Sequence, residues 1–74
     1  RRFGESIEAG ERALAAGGGD RPEVVFNLAF AYEATDRNKA LALWRRCVEL
    51  TEDNPRYSQA CETAKRRIAK LGER

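Results

Sequence analysis

Apolar positions along the chain fall into four groups at helical spacing, separated by short polar or glycine-rich stretches. The first group covers 3–16, with Ile7, Gly10, Ala13 and Leu14 on one stripe. Gly17-Gly18-Gly19 closes it, because glycine takes the left-handed conformation that ends a helix without steric cost. Asp20-Arg21-Pro22-Glu23 has the spacing of a capping box, with proline in the first turn. The helix it opens carries Val25, Leu28, Ala29 and Tyr32, an i, i+3, i+4, i+7 series. Phe26 and Phe30 form a second stripe beside it, so this helix is expected to meet neighbours on two sides. Thr35-Asp36-Arg37-Asn38 is short and polar, which turns the chain back antiparallel, with Asp36 or Asn38 as N-cap. A third helix is predicted over 39–52, with Ala40, Leu41, Trp44, Cys47 and Val48 inward and Arg45, Arg46 and Glu49 in water. Asn54 and Pro55 are a good N-cap and first residue for a last helix over 55–71. There Tyr57, Cys61, Ala64, Ile68 and Leu71 make a single apolar stripe on an otherwise charged surface, and Gly72 follows. No strand is expected.

Laid over itself at an offset of 34 residues, the chain pairs Ile7 with Leu41, Gly10 with Trp44, Ala13 with Cys47 and Leu14 with Val48. Each pair matches a small or apolar residue with an apolar one. A helical pair on its own cannot bury its apolar stripe, so repeats of this length stack on one another. The last helix, apolar on one side only, has the pattern of a terminal cap.

From Val25 to Trp44 the chain resembles a tetratricopeptide repeat, whose pattern is W-x2-L-G-x2-Y followed by A-x3-F and P. Val25, Leu28, Ala29 and Tyr32 stand in the first four slots, and Ala40 and Trp44 form the A-x3-aromatic element. The turn before Ala40 is one residue shorter than usual, and the proline comes late, at Pro55. The resemblance implies an all-α, right-handed solenoid of about four antiparallel helices in one domain. It comprises the second helix of a partial repeat (3–16), a full repeat (22–52) and a capping helix (55–71). It further implies a protein–protein interaction module, an adaptor or scaffold segment that takes a peptide or helix of a partner protein on its concave face. The residues that would line that face are Glu23, Phe26, Asn27, Phe30 and Glu33, with Ala34 at the end.

Two readings of these residues stand side by side. Asn27 is either a solvated polar residue or an amide offering donor and acceptor to an extended backbone. Phe26 and Phe30 either make an apolar strip for a partner or pack on the 3–16 helix. A carboxylate-gripping subtype is disfavoured: the corresponding slots, Gln59 and Thr63 or Arg56 and Ala60, lack paired cations. Self-association is the alternative function, with Phe3, Ile7 and Leu14 meeting a second copy.

Composition narrows the remaining classes. With 14 basic and 12 acidic residues the net charge is +2, which does not call for nucleic acid or a membrane surface. Arg45-Arg46 and Lys65-Arg66-Arg67 are interleaved with acids, as on a solvated helical face. No His, no phosphate-binding loop and no nucleophile beside a base are present, so neither catalysis nor a cofactor is expected. Cys47 and Cys61 lie on apolar stripes and read as buried free thiols, with a disulfide the alternative and a metal site disfavoured. At 74 residues the chain is one small domain, and without Met it reads as a piece of a longer polypeptide.

Overall fold

A computed structural model describes residues 3–18 and 21–72, the side chains of residues 3 and 6 excepted. Among the described residues all regular structure is helical: α1 (Phe3–Ala15), α2 (Pro22–Glu33), α3 (Arg37–Thr51) and, after a single 3-10 turn (Pro55–Tyr57), α4 (Ser58–Gly72). Each helix packs chiefly on its neighbours in sequence, α1 on α2, α2 on α3 and α3 on α4.

The helix ends follow local chemistry. Gly17 sits at φ +99° just beyond α1, and its N–H donates to the Leu14 carbonyl at 3.0 Å. Gly18 is buried, and a Cβ there would stand 2.5 Å from the Ala13 carbonyl oxygen, so the turn tolerates only glycine. Pro22 opens α2 after Arg21, an N-cap with no side-chain bond; Asp20, expected to cap this helix, lies outside the described residues. Asp36 is the cap of α3: its backbone is extended and its carboxylate accepts from the Lys39 N–H at 3.2 Å. Asn38 therefore lies inside α3, which starts at Arg37 rather than Lys39. Asn54 caps as expected, accepting from the Arg56 N–H at 3.1 Å, but it opens the 3-10 turn, and the α-helix begins only at Ser58. Gly72 closes α4 from within.

Between the helices lies one core: Val25, Leu28, Ala29, Tyr32, Ala40, Trp44, Cys47 and Ala64. Ala29 and Ala40, the two small residues of the repeat-like pattern, are both fully buried. Gly10 lets α1 approach α2 closely. A Cβ there would come within 2.6 Å of Leu28 Cδ1, and Leu28 is itself only 2 % exposed. Ile7, Leu14, Ile68 and Leu71 pack against the core from the two outer helices. Thr51 is buried without penalty because its hydroxyl donates to the Cys47 carbonyl at 2.7 Å. Cys47 and Cys61 are free and buried.

Candidate functional site

Three contacts join residues 34 apart. Tyr57 donates its hydroxyl to Glu23 at 2.8 Å, Arg67 donates Nε to Glu33 at 2.8 Å, and Arg37 donates Nε to the Leu71 carbonyl at 2.7 Å. The first joins α2 to the 3-10 turn that precedes α4 and the second joins α2 to α4 itself, so α2 and α4 run in the same direction. The period found in the sequence thus appears as physical register.

Glu33 is the most heavily used of the expected surface residues. Its carboxylate accepts from Trp44 Nε1 at 2.8 Å and from Arg67 Nε and Nη2, so one side chain links α2, α3 and α4. The Arg67 guanidinium, and secondarily the indole N–H, hold the Glu33 carboxyl below the usual carboxylate range against the opposing effect of burial. The same pairing raises Arg67. Opposite charges at the 34-residue offset, Glu33 and Arg67, were the available signal for this tie, and a reading of α2 alone missed it. Glu23 is exposed, and the Tyr57 hydroxyl bond lowers its pKa while raising that of Tyr57. Tyr32, buried behind this face, donates to Glu11 of α1 and is pushed up to about 12 by that bond. Lys39 lies over the Tyr32 ring at 5.4 Å.

Phe26 and Phe30 do not choose between the two expected neighbours. They pack edge-to-face on each other, centroids 5.1 Å apart, and on Trp44 of α3 at 5.2 and 4.8 Å. Their ring contacts are thus with each other and with the fully buried Trp44 of α3. Phe26 is half-buried by this arrangement. Phe30 remains 41 % exposed, the one large apolar side chain so exposed among the described residues, with the Arg67 guanidinium 5.7 Å from its ring.

Beside Phe30 an open groove of about 680 Å³ runs between α1 and α2. Ala9, Gly10 and Ala13 form one wall, and Val24, Asn27 and Phe30 belong to the other. Asn27 is exposed and also borders a smaller hollow of about 200 Å³ shared with Glu23, Phe26, Tyr57 and Ala60. Asn27 and Phe30 therefore stand at the open groove, Glu23 and the half-buried Phe26 border the smaller hollow, and Glu33 lies inside a structural tie. The α1 wall was not expected as part of the site; the small residues at Ala9, Gly10 and Ala13 were its only trace in sequence. Ile7 and Leu14, put forward for contact with a second copy, pack on the core, and the Phe3 side chain lies outside the described residues.

No cluster of three or more metal-ligating side chains occurs among the described residues, and no helix is long and apolar enough to cross a membrane. The chain defines an all-helical domain of four helices in sequential contact. Compared with known protein families, with curated proteins and with solved structures, it matches none.

Proposed function

We propose that this chain is a protein-interaction module: a helical-hairpin solenoid segment of the tetratricopeptide kind that takes a peptide or helix of a partner protein. The observation that carries this proposal is Phe30, the one large apolar side chain left exposed among the described residues, standing with Asn27 over an open groove. Aromatic side chains in such places supply most of the energy of an interface. Asn27 adds a donor and an acceptor for a partner's backbone. Support for the solenoid comes from the 34-residue register of α2 with the 3-10 turn and α4 and from the full burial of Ala29 and Ala40. A right-handed path and a capping role for α4 belong to the same proposal, as does a non-enzymatic role.

Peptide display tests it. Ligands selected from a random peptide library against the folded chain should lose about tenfold or more in affinity on Asn27→Ala or Phe30→Ala. The circular dichroism of both variants should stay helical. Selected ligands whose binding ignores both substitutions, or a library that yields none, would overturn the proposal.

A further inference from the structure

The two acids of α2 each stand three residues from one of its two phenylalanines, Glu23 before Phe26 and Glu33 after Phe30. At the Glu33 end the molecule fills this arrangement itself. Arg67 of α4 donates Nε to the Glu33 carboxylate at 2.8 Å and Nη2 to its other oxygen, and its guanidinium carbon lies 5.7 Å from the centre of the Phe30 ring. One carboxylate and one aromatic ring thus hold one guanidinium, a planar cation that suits both.

At the Glu23 end the carboxylate and the ring are both present, and the chain supplies no cation. Glu23 accepts from the Tyr57 hydroxyl at 2.8 Å, a neutral donor that leaves the carboxylate its charge, and it makes no ion pair among the described residues. The same bond lowers its pKa, so it is ionised at neutral pH. Beside it lies the hollow of about 200 Å³ bounded by Pro22, Glu23, Phe26 and Asn27 of α2, Tyr57 of the 3-10 turn and Ala60 of α4. Pro22, Phe26, Tyr57 and Ala60 are half-buried and mostly apolar, and Glu23 is the one charged residue of the lining. Arg21 and Arg56 are exposed and do not belong to it. An apolar space bounded by one anion favours a side chain with an apolar stem and a cationic tip. A purely apolar occupant would desolvate the carboxylate without replacing its water, and an acidic one would be repelled.

We propose that this hollow takes an arginine side chain of the partner peptide, with its guanidinium at the Glu23 carboxylate and the Phe26 ring and its stem against Pro22 and Ala60, as Arg67 meets Glu33 and Phe30. Asn27 borders this hollow and the α1–α2 groove alike, so a peptide held by that amide reaches both. The assignment rests on the interaction function proposed above and names a residue that the partner must carry.

Two capped tripeptides test it: acetyl-Gly-Arg-Gly-amide, and the same peptide with citrulline, which keeps the shape of arginine without its charge. Titrated into the isotopically labelled chain, the arginine peptide should move the backbone amide signals of Glu23, Phe26, Asn27 and Ala60 saturably. It should bind about fivefold tighter than the citrulline peptide, and added salt should shrink that difference. Glu23→Gln, at an exposed position, keeps an acceptor for Tyr57 and should bring the arginine peptide down to the citrulline level, with the circular dichroism unchanged. Equal binding of the two peptides, no saturable shifts at those amides, or an arginine preference that survives Glu23→Gln would overturn the proposal. If library ligands depend on Asn27 and Phe30 but ignore Glu23→Gln, only the arginine site has failed. If no ligand depends on Asn27 and Phe30, the interaction function itself has failed.

Discussion

Trp44 and Phe30 show how two aromatic rings in contact divide their duties. Trp44 is fully buried, hydrogen-bonded to Glu33 and covered by both phenylalanines. Phe30 touches it at 4.8 Å yet keeps 41 % of its surface in solvent. Truncating a fully buried large side chain removes its transfer free energy and leaves a cavity, so Trp44→Ala is expected to cost about 3–5 kcal/mol. Phe30→Ala is expected to cost about 1 kcal/mol, because much of its surface is wet in the folded state already. Urea denaturation of the two variants checks the ranking; a Phe30→Ala loss as large as that of Trp44→Ala would make Phe30 a core residue. Gly10 makes a quieter case at the same scale. Its missing side chain sets how near α1 comes to Leu28, and thereby the depth of the groove beside it. The sequence marks both residues as apolar or small on a stripe, but it does not say which ring is covered. That depends on which helix lies above, a matter of tertiary contact.

At the scale of elements, α4 is held by a polar tie as well as by its apolar stripe. Cys61, Ala64, Ile68 and Leu71 meet the core, while Arg67 reaches Glu33 on α2. The folded Glu33 carboxyl has a lowered pKa, caused first by Arg67. Around the ordinary carboxylate range the unfolded chain therefore binds more protons than the folded one, and stability rises with pH there. The contribution is present above the unfolded carboxylate value and is lost as pH falls through the lowered folded value. Glu33→Gln is expected to reduce stability at neutral pH and to flatten this acid limb. Thermal midpoints from about pH 2 to 7 compare the two proteins, and an unchanged acid slope would remove Glu33 from the account. The helices themselves were legible from periodicity, and Asp36, Asn54 and Pro55 were legible as punctuation. The displaced boundaries have local causes. Extended backbone at Asp36 admits Arg37 into α3, and the turn after Asn54 tightens to 3-10 before α4 starts.

At the scale of the whole molecule, four helices in sequential contact span 33 × 30 × 17 Å and leave one side of α1 and α2 open. Both thiols lie inside, Cys47 fully buried and Cys61 7 % exposed, and burial raises the Cys47 pKa. The thiolate is the reactive form, so Cys47 is protected both by burial and by its raised pKa, and Cys61 by burial. Labelling with an aromatic disulfide reagent should run at least about a thousandfold slower than in denaturant and should follow global opening. Rapid labelling of either thiol in native buffer would mean that α4 detaches on its own.

Helix number, helix polarity and the 34-residue period were determined by the sequence, because each follows from side-chain spacing along one strand of chain. Even the tie between Glu33 and Arg67 was written there as opposite charges one period apart. The groove was not. A groove is the space left between backbones, and its width is set by how closely Gly10 lets Leu28 approach and by how Trp44 draws Phe26 and Phe30 toward α3. Those distances arise only when the helices pack, so tertiary structure alone decided that Asn27 and Phe30 stand at an open surface while Glu33 is enclosed.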